Sequence, residues 1–382
     1  MLSHARYSGF AGRLSALAAV GVLLVGCGSS ASSASPPASA AAPAASSAAP
    51  SKPSAAASAS AKPAASAGSA APSGASAAAA GQLPHVTLSY SALIGVNIPE
   101  WVADAAGIFK KNGLNVKVTY IASSEGIPAL ISGETQIANV GGSETLSAVA
   151  GGADLVTVTN DSPVYPFVLQ VAPGIKSVAD LKGKKVGVSN FGSVSDIALR
   201  VALEKKGLNP DTDVSIIAVG SASNRLAAME SGAIVGGVAF PPGSLKLESQ
   251  GFHTLVDLSA LKAPAAIGTG VLNRSYFNAN HAVAQKYVDS VVEAIARARK
   301  DEPFVVNVLE KYFKSSDTKA MQSTYDYFVK NVIPALPYPK PEQYADSKAI
   351  LGKKNAKVAA FDVAKMLDDS LVKSAADRGL DK

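Results

Sequence analysis

The sequence predicts an α/β protein whose folded part has two similar halves, each a mainly parallel sheet flanked by helices. Three observations carry this. About 300 residues remain once a low-complexity N-terminal stretch is set aside, more than one core usually fills. Along them, short β-rich runs alternate with amphipathic segments of helical period, the pattern of βαβ units. The pattern also occurs twice. SGETQIANVGGSETLSAVAGGADLVTV and SGAIVGGVAFPPGSLKLESQGFHTLVDL both run Ser-Gly, strand, Gly or Pro turn, helix, Gly, strand.

The elements follow in order. HVTLSY leads through a loop into IPEWVADAAGIFKKNG, a helix closed by Gly113; Trp101, Val102 and Phe109 recur there at helical spacing and read as core. NVKVTYIA runs through Ser123-Ser124 into EGIPALISG. TQIANV runs through Gly141-Gly142-Ser143 into ETLSAVAGG, and DLVTVTN closes the first set. KKVGVS then opens a second set. Its helix carries Val194, Ile197, Ala198 and Val201 on one stripe, which places Arg200 and Glu204 on the outer side. Ser193 and Asp196 have capping-box spacing, so Ser193 is expected to cap that helix. VSIIAVG with SNRLAAMESG, AIVGGVAF with SLKLESQG, and HTLVDLS complete the second set.

The N-terminus has a different character. Arg6 and Arg13 precede an apolar run from Leu14 to Val25, too short for a bilayer span of about 20 residues and flanked like a secretory signal. It ends in Leu-Val-Gly-Cys, and Cys27 is the only cysteine. This resembles the lipobox of bacterial lipoproteins, which implies a signal peptide over 1–26, lipidation of Cys27 and a position on the outer face of the cell membrane. Residues 27–82 are almost entirely Ala, Ser, Pro and Gly, and such composition reads as a disordered tether, with a root-mean-square span of roughly 40 Å. One cysteine permits no internal disulfide, so the fold must rest on its core.

The chain has 35 basic and 29 acidic residues; Arg6, Arg13, Lys52 and Lys62 precede residue 83 and no acid does, so the rest carries 31 against 29. The excess is too small and too scattered to argue for nucleic acid. His4, His85, His253 and His281 lie far apart, without metal-ligand spacing or a triad. The glycine turns match no dinucleotide or P-loop fingerprint. Neither catalysis nor a cofactor is expected.

Three segments carry a more specific resemblance: SVADLKGKKVGVSNFGSVSDIALRVALEKKGLNP, GSASNRLAAMESGAIVGGVAFPP and IPEWVADAAGIFKKNGLNVKV. They resemble the substrate-binding lipoproteins of ABC importers, in the branch that includes binders of nitrate, taurine, alkanesulfonates and thiamine pyrimidine. The likeness covers 83 to about 335. It implies a hinge-linked, two-domain periplasmic-binding fold of type II, with 83–170 and 265–382 forming one domain and 171–264 the other. The C-terminal helices from about His281 would pack on the first domain. It also implies a monomer that captures a small solute in an interdomain cleft and passes it to permease subunits driven by a cytoplasmic ATPase. The alternative is a sensor of the same build that docks on a signalling receptor.

In open α/β sheets, ligands sit beyond the carboxyl ends of the strands. That places the ligand-binding candidates in the turns: Ser91, Asn97, Ser123, Ser124, Gly142, Ser143 and Tyr165 from the first half. From the second come Asn190, Phe191, Gly192, Ser193, Ser221, Phe240 and Pro241. Each serine also has a reading as a cap or Ser-turn. Arg225 is the only basic residue near these turns and reads as a surface or interdomain residue more readily than as a contact. Free N–H groups at several helix starts favour an anion or polar oxygen, while Glu125, Glu144 and Asp161 would repel a dianion. A sulfonate or carboxylate monoanion fits, as does a neutral aromatic ring stacked on Phe191, Tyr165 or Phe240.

Overall fold

Ten strands are found in the computed structural model, which describes residues 83–382, a stretch within one compact unit. The signal, Cys27 and tether assignments lie outside the described residues. The strands are β1 (His85–Tyr90), β2 (Asn115–Tyr120), β3 (Ile137–Val140), β4 (Leu155–Val164), β5 (Val168–Val171), β6 (Lys185–Val188), β7 (Ser215–Ala218), β8 (Gly236–Ala239), β9 (His253–Asp257) and β10 (Pro264–Asn273). They form two five-stranded sheets, ordered β2-β1-β3-β10-β4 and β7-β6-β8-β5-β9.

The two orders are the same pattern. In each sheet the first three strands pair in parallel, and the fourth runs against both of its neighbours. That reversed strand is the one that crosses between the sheets: β5 follows β4 out of the first, and β10 follows β9 back. The βαβ alternation in the sequence gives the parallel strands; the two crossings give the antiparallel ones. The central strands β3 and β8 are buried at every position, whereas β2 and β7 at the edges are exposed or half-buried throughout. Helices cover both faces of a parallel sheet, so its central strands read as continuous apolar or small-residue runs.

The helix Val194–Lys205 buries Ile197, Ala198 and Val201 as its stripe requires. Its outer face differs from the expectation. Arg200 is only 8% exposed, with Nε donating to Asp196 at 2.8 Å and Nη1 to Asp211 at 2.7 Å. The stripe rule places a residue on a helix but does not reveal what later chain covers it. Here the 209–213 loop supplies Asp211, and the helix Ala345–Gly352 packs along the same side. Glu204 is exposed and pairs with Lys353 at 3.1 Å.

The helices His281–Lys300 and Glu302–Phe313 pack on the first sheet's helix Ile98–Ala105. Trp101, fully buried, stacks on Tyr312 with ring centroids 4.5 Å apart. Further on, Ala345–Gly352 touches both the first sheet's helix Gly142–Gly151 and the second sheet's Val194–Lys205.

Candidate functional site

Because both sheets carry the same parallel core, the carboxyl ends of β1, β2 and β3 and those of β6, β7 and β8 supply the walls of one cavity of about 530 Å³. The first sheet contributes Ser91, Asn97, Tyr120, Ser123, Ser124, Asn139 and Glu144. The second contributes Ser189, Asn190, Ser193, Ser195, Ser221, Asn224, Arg225 and Phe240, and the return strand adds Ile267 and Gly268.

On the first wall, Asn97 shapes the loop after β1: its Nδ2 donates to Ala92 O at 2.7 Å and to Ile94 O at 3.0 Å. Ser123 opens the helix Ser123–Ser132, whose cap residue Ala122 offers no side-chain acceptor. The first N–H groups of that helix therefore lack a partner from a capping side chain. Glu144 stands where the two halves meet. Its carboxylate accepts from Ser143 Oγ at 2.7 Å and from the Val194 backbone N–H, and burial pushes its pKa up. Tyr120, nearly half exposed, edges the mouth and packs on Tyr90.

The second wall is built around the turn after β6. Ser193 does not cap its helix as expected. Its Oγ donates to Asn190 O at 2.7 Å and lies 2.8 Å from Ser195 Oγ, which in turn accepts from Ser189 N at 2.9 Å. Asp196 reaches back to Gly192 N at 2.8 Å instead. Gly192, at φ +80, turns that N–H toward the helix, a conformation that glycine adopts without a Cβ penalty. Ser221, by contrast, caps Ala222–Glu230 by accepting from Asn224 N.

Arg225 lies one turn into that helix and is 2% exposed. Its Nε donates to Val238 O at 2.7 Å and Nη1 to Ser189 Oγ at 2.8 Å. Among the described residues no carboxylate pairs with it. Desolvation alone moves its pKa, down to about 10, so it remains charged at neutral pH. A buried cation without a counter-ion is costly, and three of the five guanidinium hydrogens are left without a partner among the described residues, beside the cavity. The site therefore offers one fixed positive charge, several hydroxyls and helix-start amides, and an aromatic pair, Phe167 and Phe240, with centroids 5.9 Å apart. Among the described residues no three His, Cys, Asp or Glu side chains gather to hold a metal.

Of the residues picked out in the sequence, Ser91, Asn97, Ser123, Ser124, Asn190, Ser193, Ser221 and Phe240 line this cavity. Six others lie elsewhere. Gly142 is pressed against Ala266 and Tyr344, where a Cβ would come within 2.4 Å. Ser143 is fully buried beneath Glu144. The Tyr165 hydroxyl donates to Asp346 at 3.2 Å, and its pKa is driven up by burial and by that carboxylate. Phe191, 63% exposed, and Gly192 line a separate groove with Leu351. Pro241 follows Phe240 in a cis Pro241–Pro242 bond and does not reach the cavity wall. Asn139, Ser189 and Arg225 were not singled out as contacts. A polar residue inside the apolar run TQIANV was the available signal for Asn139, and paired strand glycines were the signal for Arg225.

The fold recurs in proteins of known structure. The alkanesulfonate-binding protein of Xanthomonas axonopodis pv. citri, solved with MOPS, matches with a TM-score of 0.63 at 20% identity, covering 76% of this chain and 100% of that one. The periplasmic nitrate-binding protein of Synechocystis PCC 6803 matches with a TM-score of 0.67 at 16% identity, covering 78% and 89%. In sequence, a Brucella abortus protein named only for a binding role is 27% identical over 217 residues, which span 56% of this chain and 66% of that protein. The model of the NMT1/THI5-like family matches residues 96–301, more than half of the chain, and the protein belongs to that family.

Proposed function

We propose that this protein is the extracytoplasmic substrate-binding component of an ABC importer, taking a small organic monoanion into the cavity between its sheets. The observation that carries the reading is Arg225: a buried guanidinium, without a carboxylate partner among the described residues, in the wall of a cavity of about 530 Å³. That volume lies within the range of small-molecule sites. One fixed cation beside Ser189, with the uncapped start of the helix Ser123–Ser132 in the opposite wall, suits a single sulfonate or carboxylate group. Glu144 across the cavity disfavours a second negative charge. The sulfonate- and nitrate-binding proteins of the same fold lend support, as does the binding role named for the Brucella relative.

In this reading the second sheet with its helices closes on the remainder about the two crossings, β4–β5 and β9–β10, and the closed form delivers its solute to a permease. The cavity captures and does not transform. Cys27 holds the chain on the membrane through a lipid, the 27–82 tether gives it reach, and it acts as a monomer.

A thermal-shift screen of the parent over sulfonates, carboxylates, nitrate, aromatic acids and pyrimidines tests the reading. Monoanions are expected to raise the melting temperature, and calorimetry on the hits should give one site per chain. If no anion stabilises the protein while neutral pyrimidines do, the anion assignment is wrong. Cys27→Ser is expected to move the protein from the membrane fraction to the soluble one; retention on membranes would remove the lipid anchor from the account.

A further inference from the structure

We infer that the ligand carries a hydrogen-bond donor in addition to its anionic group, and that Asn139 Oδ1 receives it. This rests on the binding reading above and specifies the class of solute. Asn139 sits at the carboxyl end of β3, is 1% exposed and lines the cavity. Both hydrogens of its amide point inward: Nδ2 donates to Glu100 Oε1 at 2.7 Å and to Asp161 Oδ2 at 2.8 Å. The Tyr287 hydroxyl donates to the same Glu100 oxygen at 3.1 Å. The remaining oxygens, Glu100 Oε2 and Asp161 Oδ1, are buried and accept from no donor among the described residues, and burial raises the pKa of both acids. One proton held between them satisfies both, and burial favours keeping it.

This arrangement fixes which way the Asn139 amide faces. Its inner neighbours are acceptors on both sides, so only the NH₂ group fits there, and the carbonyl oxygen is turned outward. That oxygen accepts from no donor among the described residues. It is left uncovered by Gly268, at φ +69 on β10: a methyl group at 268 would stand 3.3 Å from Asn139 Oδ1 and 3.0 Å from Val96. A nearly buried acceptor without a donor is costly. A ligand N–H or O–H supplies one.

The two walls thus differ in kind. The second sheet's wall donates, through Arg225; the first sheet's wall accepts, through Asn139 and, beside it, the Glu144 carboxylate. A solute bridging them has an acidic group at one end and an amino, amide or hydroxyl hydrogen at the other. Amino- and hydroxy-substituted sulfonates or carboxylates meet this description, and plain alkyl or aryl acids do not.

The test is calorimetry of the full chain with matched probes: ethanesulfonate against hydroxyethanesulfonate, and benzoate against para-aminobenzoate. The donor-bearing member of at least one pair is expected to bind about tenfold more tightly or better. Methoxyethanesulfonate, which keeps the oxygen but loses its hydrogen, should fall back to the level of ethanesulfonate. Gly268→Ala, which covers Oδ1, should shrink the difference within each pair to below about threefold, whatever it does to the affinity for the acids themselves; the methoxy probe decides if that variant does not fold. Equal binding within both pairs, or methoxy binding equal to hydroxy, overturns the inference and leaves the anion reading standing. Binding of none of the acids defeats the anion reading itself, and this inference with it.

Discussion

Gly187 of β6 and Gly237 of β8 are register partners, and the Arg225 side chain lies across both. A Cβ on Gly187 would stand 3.5 Å from Arg225 Cγ, and one on Gly237 would stand 3.0 Å from Arg225 Cδ. Two glycines side by side on neighbouring strands make a shallow bed in which a long cation lies flat on the sheet. Its head is then delivered to the strands' carboxyl ends, where Ser189 and the Val238 carbonyl take two of its hydrogens. Strand glycines of this sort mark a close approach rather than a weak strand.

Gly237→Ala is expected to disturb that bed. The added methyl would also meet the Gly187 carbonyl oxygen at 2.9 Å, and overpacking of this kind costs about 1–3 kcal/mol. Chemical denaturation should show the loss, and calorimetry should show anion affinity reduced beyond it. Parent-like affinity in a folded Gly237→Ala protein would mean that the guanidinium is not positioned by these strands.

The Glu100–Asp161 pair makes stability depend on pH. Burial raises both acids, so between the ordinary carboxylate range and the raised values the folded chain binds more protons than the unfolded one. Stability is then full below about pH 4 and falls as pH climbs through that window. Asp161→Asn replaces the shared proton with an amide hydrogen that does not titrate. Urea midpoints at about pH 5 and about pH 8 should drop for the parent and drop less for the variant. Equal slopes would show that the pair does not retain a proton.

Much of the fold was legible because parallel βαβ units leave a strong periodic signal, and because KKVGVS and HVTLSY open two sets of the same order. The reversal of β5 and β10 was not legible, since a crossing strand such as VLQV has no local feature that gives its direction. At the site, position after a strand was enough to find Ser123, Asn190 and Ser221. It failed for Gly142 and Tyr165, which sit at the right places in the chain but face Tyr344 and Asp346 from the C-terminal segment. It also undervalued Arg225, because helix position says nothing about a side chain long enough to run back along the sheet. Long-range burial decides these cases, and no short stretch of sequence contains it.

Phe191 offers a contrast with Arg225. It projects from the turn after β6, well exposed and outside the cavity. Phe191→Ala should change stability by no more than about 0.5 kcal/mol and leave ligand affinity unaltered. A clear loss of affinity would mean that closure carries this turn onto the solute.

The central claim is that Arg225 holds the ligand's anionic group, and Arg225→Met tests it most directly, by calorimetric titration of variant and parent with the best monoanion from the screen. Methionine keeps the length of the buried stem and removes an uncompensated charge, so the apo variant should be as stable as the parent or more so. Affinity should fall by about 2–5 kcal/mol. A stable Arg225→Met protein that binds the monoanion as tightly as the parent would contradict the account.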